Sequence, residues 1–347
     1  MIFLTMKLLR NLIKFDRQFQ IRIFNMKTKL TTFCLLFLLL ISCNDDEPEK
    51  TISPTAKVYL NQVLDIMEKN SINKHQIKWD YFRTEVFNTV PAAQTIGDTY
   101  AGISKAFTLL GDNHSFFRTP NGNTIRGNSS VVIQLENIDN PTIPNDIGYV
   151  KVTYFSGSAN DALAITFAKQ IQNQIKQQDL PDLKGWIVDL RNNTGGNMWP
   201  MLAGIGPVLG EGTAGYFIDA DGNAVEWGFQ NGASVYYGNQ VTQLNNSYNL
   251  LTSNPKVAVL LNSAVASSGE AIAVSFIGRK NTKSFGSATA GLSTSNQSFT
   301  LSDNAILYLT TAFFADRNKN IYGSTLNPDV TSSKETIIGD AITWIRE

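Results

Sequence analysis

Apolar residues recur along this chain with two different periods, and their order predicts the fold. Short apolar runs predict strands at 147–153, 186–190 and 256–261, and the last two are apolar except for Asp189 and Lys256, as expected of strands buried on both faces. Apolar residues at helical spacing predict helices over 160–177, 198–209 and from Ser268 onward. Strands that alternate with helices predict an α/β fold of stacked βαβ units with parallel pairing.

Other segments complete this picture. Helical periodicity predicts three helices at about 54–67, 79–87 and 95–110, which would form a small N-terminal helical domain over 54–117. The remaining residues, 118–347, would form the main domain. Within it we predict further strands at 131–135, 282–286, 297–301 and 306–314, a closing helix at 334–346, and an irregular or β-hairpin insertion at 213–248.

Ser267 lies between the predicted strand at 256–261 and the helix that starts at Ser268. A hydroxyl there meets free backbone N–H groups and the positive end of the helix dipole, which suits an activated nucleophile or an oxyanion. A serine before a helix is also a common N-cap, here with Glu270 in the first turn. The local sequence therefore leaves both interpretations open.

Gly195 and Gly196 follow the strand at 186–190. Because loops at the carboxyl ends of parallel strands gather at one edge, these glycines should neighbour Ser267. A residue without a side chain lets a backbone N–H approach a substrate carbonyl closely, although a plain tight turn also explains two glycines.

Only two histidines occur, so a histidine base for Ser267 would be His75 or His114. His75 lies in a polar connector and is expected at the surface. His114 follows a Gly-Asp-Asn turn and precedes two phenylalanines, which places it at the edge of a packed surface. Its local sequence is equally consistent with a structural role.

The first 43 residues indicate targeting. Met26 starts a short basic region, residues 30–41 are apolar, and LISC ends at Cys43. This resembles a bacterial lipoprotein signal whose cysteine becomes acylated, with Met26 as the true start and an uncleaved anchor as the alternative. Residues 44–53 read as a flexible acidic tether. We expect an exported lipoprotein of the outer membrane, on its periplasmic side or at the cell surface.

Cysteine use and charge exclude several functions. Both cysteines, Cys34 and Cys43, belong to the targeting segment, so the body has no thiol for a disulfide, a metal or a nucleophile. Beyond residue 42 the chain holds 22 basic and 28 acidic residues and no basic cluster, which argues against nucleic-acid binding. Nothing indicates a metal or a cofactor.

Four motifs, in this order, resemble those of one family of serine peptidases. The family includes the bacterial C-terminal processing (tail-specific) proteases, the tricorn protease core and the interphotoreceptor retinoid-binding proteins. The motifs are IVDLRNNTGG at 187–196, LLNSAVASSGEAIA at 260–273, GSATAG at 286–291 and LNPDV at 326–330. The resemblance implies a ClpP/crotonase-like core, and it favours the tricorn-like branch because no room exists for a PDZ domain.

The resemblance also implies roles for individual residues. Ser267 becomes the nucleophile and His114 the base, since Leu292 stands where the processing proteases carry a lysine. Backbone N–H groups of the oxyanion site would come from Gly195, Gly196 or Ser268. The branch has a glutamate where this chain has Tyr322, so the partner that orients His114 stays open. The candidates are Asp316, Glu270, Tyr322 and Asn113.

These expectations together describe a lipid-anchored serine peptidase that hydrolyses polypeptides through an acyl-enzyme. Two alternatives remain open at this stage. One is a catalytically silent member that binds peptides or an apolar ligand, and the other is an esterase, because acyl-enzyme chemistry does not itself select amides over esters.

Overall fold

The computed structural model describes residues 51–127 and 131–347, together with positions 16, 17, 20 and 22, which are helical. The predicted lipobox with Cys43 and most of the predicted tether lie outside the described residues. Within the described part, no helix is both long and apolar enough to cross a membrane.

The three predicted N-terminal helices are confirmed. They are α1 (Pro54–Asn70), α2 (Trp79–Thr89) and α3 (Tyr100–Leu110), the last preceded by a 3-10 turn at Gly97–Thr99. Ser53 caps α1, since its Oγ accepts a hydrogen bond from the N–H of Ala56 at 3.2 Å. α3 ends at Gly111, whose φ of 70° suits a residue without Cβ.

A five-stranded sheet, in which every pair is parallel, forms the centre of the main domain. Its strands are β3 (Ile147–Lys151), β4 (Gly185–Asp189), β9 (Lys256–Leu261), β10 (Thr282–Gly286) and β13 (Val330–Thr331), in the order β13-β10-β9-β4-β3. The predicted crossover helices are confirmed as α4 (Ala162–Gln178), α5 (Met198–Leu209) and α6 (Ser268–Phe276), and the closing helix as α7 (Ile337–Arg346).

Both faces of the parallel sheet are covered, as its apolar runs predict. On one face, Val257 and Val259 of β9 belong to a core shared with α4, α5 and α6. On the other face, Ala258 and Leu260 pack with apolar residues of α7. β9 therefore has no solvent-facing side, which explains why its sequence does not alternate.

A second sheet is antiparallel and follows a different order. Its strands are β1 (Phe116–Arg118), β2 (Thr124–Ile125), β5 (Gly212–Asp219), β6 (Ala224–Gln230), β7 (Ala233–Tyr236), β8 (Asn239–Gln243), β11 (Thr294–Thr300) and β12 (Ile306–Asp316). They run in the order β2-β1-β12-β5-β6-β7-β8, with β11 also paired to β12. β12 lies between β1 and β5 in this sheet, and its Leu307 and Leu309 belong to the apolar core of the N-terminal helices.

Two predicted segments differ from the structure. The 213–248 insertion is four regular strands that join the antiparallel sheet through the pairing of β5 with β12, so only its hairpin character is confirmed. Residues 131–135 form no strand, and Val132 and Leu135 are 76% and 67% exposed. A run of apolar residues did not suffice there, because these two side chains face solvent rather than a core. The boundary between helical and main domains at 117/118 stays a prediction.

Candidate active site

A cavity of about 1720 Å³ lies where the two sheets meet. Loops after the parallel strands line one side, with Gly196 after β4 and Ser267 after β9. The antiparallel sheet lines the other side, with Phe116 of β1 and Thr294 of β11. His114, just before β1, also lines it, so one cavity gathers residues that lie far apart in the chain.

Ser267 occupies a strained turn at the start of α6. Its φ of 53° and ψ of −118° match the second position of a type II′ turn, which glycine normally fills. The turn is closed by a hydrogen bond of 2.9 Å from the N–H of Gly269 to the carbonyl of Ala266. Such strain persists only where the surroundings fix it, and it is typical of functional positions.

Glu270 fixes the strained turn from inside the protein. Its fully buried carboxylate accepts hydrogen bonds from the N–H of Ser267 at 2.9 Å, of Leu292 at 2.8 Å and of Gly291 at 3.0 Å. The hydroxyl of Thr289 donates a fourth. Burial raises the pKa of Glu270 to about 7, although these donors lower it. The carboxylate thus ties α6 to the loop that leads into β11.

Asp189 and Arg191 shape the loop that carries the two glycines. The buried guanidinium of Arg191 donates from Nε to Asp189 Oδ1 at 2.9 Å and from Nη2 to Asp189 Oδ2 at 2.7 Å. Tyr149 donates to the same carboxylate at 2.8 Å. A buried charge pair with several hydrogen bonds holds one geometry, so the chain leaves β4 in a defined direction.

The structure brings Gly195 and Gly196 against Ser267, as the strand order predicts. A Cβ at Gly195 would lie 2.9 Å from the Cβ of Ser267, and a Cβ at Gly196 would lie 2.0 Å from the carbonyl oxygen of Phe155. Both glycines have positive φ, 101° and 109°. No other residue fits this approach, which explains the pair. Ser268 Oγ donates to the Gly196 carbonyl at 2.7 Å and joins the loop to α6.

Two of the three predicted oxyanion donors are available. Among the described residues, the N–H groups of Gly196 and Ser268 have no protein acceptor, and both residues line the cavity. Gly195 differs from the prediction, because its N–H donates to Asn193 Oδ1 at 3.0 Å. That N–H is occupied and cannot also serve an oxyanion.

Asp112 and Thr294 hold His114 in place. Asp112 Oδ1 accepts from the N–H of His114 at 3.0 Å and from the N–H of Ser115 at 2.6 Å. The ring Nδ1 of His114 is hydrogen-bonded to Thr294 Oγ1 at 2.8 Å. Nε2 makes no hydrogen bond to any described residue. Burial, reinforced by the charge of Arg126, lowers the pKa of His114 to about 4, so the imidazole is neutral at pH 7.

None of the four predicted partners contacts the His114 ring through a hydrogen bond. Tyr322 donates to Asp316 at 3.0 Å, and the remaining bonds of Asp316 go to its own turn. Glu270 instead accepts a hydrogen bond from the N–H of Ser267, and Asn113 lines the cavity beside His114. The hydrogen-bond partner of the His114 ring is therefore Thr294, and not one of the four residues predicted from the sequence. The sequence holds one signal for Thr294: it lies three residues after Gly291, which ends the motif at 286–291 and whose N–H donates to Glu270.

Ser267 and His114 line the same cavity without a direct hydrogen bond between their side chains. His75 lies elsewhere, with a side chain 64% exposed and Nε2 2.7 Å from Asp221 Oδ1, which confirms its surface position. The arrangement offers a hydroxyl on a strained turn, a neutral imidazole and two N–H donors that no described residue accepts. This combination is what acyl transfer requires.

Comparison with known proteins decides the family. The sequence pattern described as Peptidase family S41 matches residues 146–332, more than half of the chain. The chain belongs to this family. It is therefore a serine-type peptidase, a hydrolase whose substrates are polypeptides, and the family resemblance seen in the sequence is confirmed.

Individual relatives resemble most of the chain. A nisin-resistance protein of Lactococcus lactis subsp. lactis is 27% identical over 296 residues, 85% of this chain and 88% of the relative. A solved lipoprotein from Streptococcus agalactiae superposes with a TM-score of 0.66 at 24% identity, over 85% of this chain and 97% of the other. The photosystem II D1 C-terminal processing protease gives 0.55 at 16% identity, over 85% and 97%. These structures confirm the α/β fold.

The strain at Ser267 has a measurable consequence. Ser267→Gly should unfold with a free energy about 1 kcal/mol higher than Ser267→Ala, because both lose the hydroxyl but only glycine adopts this φ without strain. Denaturant unfolding measures the difference. At the exposed Ser253, whose φ is not positive, glycine should be no more stable than alanine. Equal stability of the two Ser267 variants would show that the turn is not strained.

Proposed function

We propose that this peptidase works through an acyl-enzyme on Ser267 with His114 as the general base. The observation that carries the proposal is the position of Ser267. It lies on a type II′ turn in a cavity that His114 also lines, together with Gly196 and Ser268, whose N–H groups donate to no described residue. A nucleophile, a base and oxyanion donors in one cavity favour catalysis over a silent binding role.

The steps follow from the chemistry of these groups. His114 Nε2 takes the Ser267 proton as Oγ attacks the amide carbonyl carbon, and the carbonyl oxygen gains negative charge between the N–H groups of Gly196 and Ser268. His114 then donates this proton to the leaving amine as the C–N bond breaks. Water attacks the ester in the second half, with His114 again as base, and restores the Ser267 hydroxyl.

Thr294 would act as a positioning residue in this mechanism. Its hydroxyl bonds Nδ1 and so leaves Nε2 for the reacting proton. A neutral hydroxyl stabilises an imidazolium less than a carboxylate does. Burial of the ring disfavours the imidazolium further, in line with the low pKa of His114, and what the protein does supply is a fixed ring position, because Asp112 holds the backbone of His114.

Removal of either reacting side chain tests the mechanism. Ser267→Ala and His114→Ala should each lower cleavage of an unstructured protein by at least about 1000-fold. Thr294→Val should cost about tenfold, the value of one hydrogen bond. Peptide release is measured by mass spectrometry, and a fluorophosphonate should label Ser267.

Matched controls are available on the same chain. Ser263→Ala, in the same loop, and His75→Ala, on the surface, should keep full activity. Cleavage that survives Ser267→Ala contradicts the proposal. If the fluorophosphonate labels Ser267 and the protein hydrolyses esters but cleaves no protein, it is an esterase. If Ser267 is not labelled but the protein still binds peptides, it is a catalytically silent member of the family.

The low pKa of His114 predicts the pH dependence of the reaction. A base must be neutral, so the loss of kcat/KM caused by His114 should be half complete near pH 4, where an ordinary histidine would cause it near 6.5. Any change between pH 7 and 5 belongs instead to Glu270, whose pKa is about 7. Because the unfolded chain binds the His114 proton more tightly between about pH 4 and 6.5, the contribution of His114 to stability falls as the pH is lowered through this window, whereas the raised pKa of Glu270 contributes with the opposite sign between about 7 and its ordinary value. Circular dichroism at each pH separates the two effects. An acidic limb near 6.5 would show that burial does not control the base.

We also propose that Cys43 is lipidated and holds the enzyme at the outer membrane, facing the periplasm or the cell surface. The LISC sequence supports this, as does the similarity to a solved protein described as a lipoprotein. The relative named for nisin resistance is consistent with a cell-envelope enzyme.

Labelled palmitate tests the anchor. It should enter the wild-type protein and the Cys34→Ala variant, and the Cys43→Ala variant should remain unlabelled and leave the membrane fraction. Equal labelling of both cysteine variants would contradict the assignment of Cys43.

A further inference from the structure

The strand β11 has one open edge, and this edge runs along the cavity. β11 pairs with β12 on its other edge, and within the described part of the chain it pairs with no second strand. Residues 294–298 of β11 line the cavity. The hydroxyl of Thr294 is hydrogen-bonded to the ring of His114, so the open edge starts beside the proposed base.

Hydrogen bonds at the two ends of β11 show which of its main-chain groups face the open edge. The N–H of Leu301 donates to the carbonyl of Ala305 at 2.9 Å, and the N–H of Phe314 donates to the carbonyl of Ser293 at 3.1 Å. In an antiparallel pair, residues that bond to the partner strand alternate with residues that do not. The one register shift skips Thr311 of β12 and so leaves the alternation along β11 intact. Odd-numbered residues of β11 therefore bond to β12, and even-numbered residues direct their N–H and C=O groups outward.

Two of these outward residues lie in the cavity with unpaired main-chain groups. The N–H and C=O groups of Asn296 and Ser298 make no hydrogen bond to any residue that the structure describes. The side chain of Asn296 is occupied, since its Nδ2 donates to the carbonyl of His114 at 2.9 Å and its Oδ1 accepts from the hydroxyl of Thr310 at 2.9 Å. This side chain fixes β11 beside the base and leaves the main chain free to bind.

The protein closes the edge of its other sheet in a different way. β3 is the last strand of the parallel sheet, and the side chain of Gln178 covers it: Nε2 donates to the carbonyl of Tyr149 at 2.7 Å, and Oε1 accepts from the N–H of Tyr149 at 3.0 Å. β11 contains neither a charged residue nor a proline, the usual means of protecting an edge. An unprotected edge in an active-site cavity is suited to pairing with an extended chain.

We propose that a polypeptide substrate adds to β11 as a further strand and forms hydrogen bonds with the main chain of Asn296 and Ser298. The identity of this occupant rests on the proposed function. Each of the two residues offers one donor and one acceptor, so the substrate contributes the N–H and C=O groups of alternate positions. Recognition at this edge depends on the amide groups of the substrate and not on its side chains.

Replacement of single amides in one peptide tests the pairing. An unstructured peptide of about 12 residues that the enzyme cuts at one bond is remade with one N–H at a time replaced by an ester oxygen, and calorimetry measures its binding to the Ser267→Ala variant. Two esters placed two residues apart should each weaken binding about three- to tenfold, because each removes a donor to β11. An ester between them should bind like the parent peptide. Losses without this alternation, or no loss at all, overturn the proposal.

A matched pair of proline variants tests the strand itself. Ser298→Pro removes an outward N–H inside the cavity, whereas Thr300→Pro removes the next outward N–H, at a residue that does not line the cavity. Both should fold, because an edge strand tolerates proline where the N–H does not bond to its neighbour. Peptide binding should weaken about three- to tenfold in Ser298→Pro and stay unchanged in Thr300→Pro. Unchanged binding by Ser298→Pro, or equal losses in both variants, overturns the role of β11.

The two arms of the experiment also separate this proposal from the mechanism. The ester series changes only the peptide, so it decides the question even where a proline variant does not fold. If the wild type cuts the parent peptide and the esters show no alternation, the pairing is wrong and the peptidase mechanism stands. If no peptide is cut, the same series is made from an unstructured peptide that binds. Alternation then supports the pairing without catalysis, and its absence, or a lack of binding by any peptide, overturns it.

Discussion

The buried carboxylate of Glu270 is the interaction on which the site depends. It accepts from two segments at once, the Ser267 turn and the loop that ends in Leu292. The Thr289 hydroxyl that donates to it also accepts from the N–H of Leu326, so a third segment joins the same network. A buried acceptor with four donors cannot shift without leaving polar groups unpaired, which is why a strained serine can persist.

Two sheets with different pairing divide the chemistry between them. The parallel sheet places the carboxyl ends of β4 and β9 side by side, and their loops supply Ser267 with the two free N–H donors. The antiparallel sheet supplies Thr294, and His114 lies just before its strand β1. In the proposed mechanism, attack and oxyanion stabilisation thus use loops of one sheet, while proton transfer uses residues at the other. Within the antiparallel sheet β12 pairs with β5, and its Leu307 and Leu309 attach this sheet to the N-terminal helices.

Much of this arrangement could be predicted from local pattern. The helices and the parallel strands could be predicted from the spacing of apolar residues. Each helix buries one face against the sheet and each central strand buries both faces, so the apolar positions recur with the period of the element. The strand prediction failed for one segment whose apolar side chains are exposed instead of buried. Residues 131–135 are mostly apolar, as in a strand, but Val132 and Leu135 face solvent and the segment forms no strand. The four strands from β5 to β8 were harder to recognise because Gly, Asn and Tyr interrupt their alternation.

By itself, the sequence determined the fold class, the family and the identity of Ser267, His114 and the Gly-Gly turn as candidates, since each belongs to a short motif with its own local signature. Only the tertiary structure decided which groups meet. It placed Thr294 on the His114 ring and occupied the Gly195 N–H with Asn193. The physical reason is that hydrogen-bond partners and charge compensation are set by distances across strands, and residues 180 positions apart leave no local trace of such a contact.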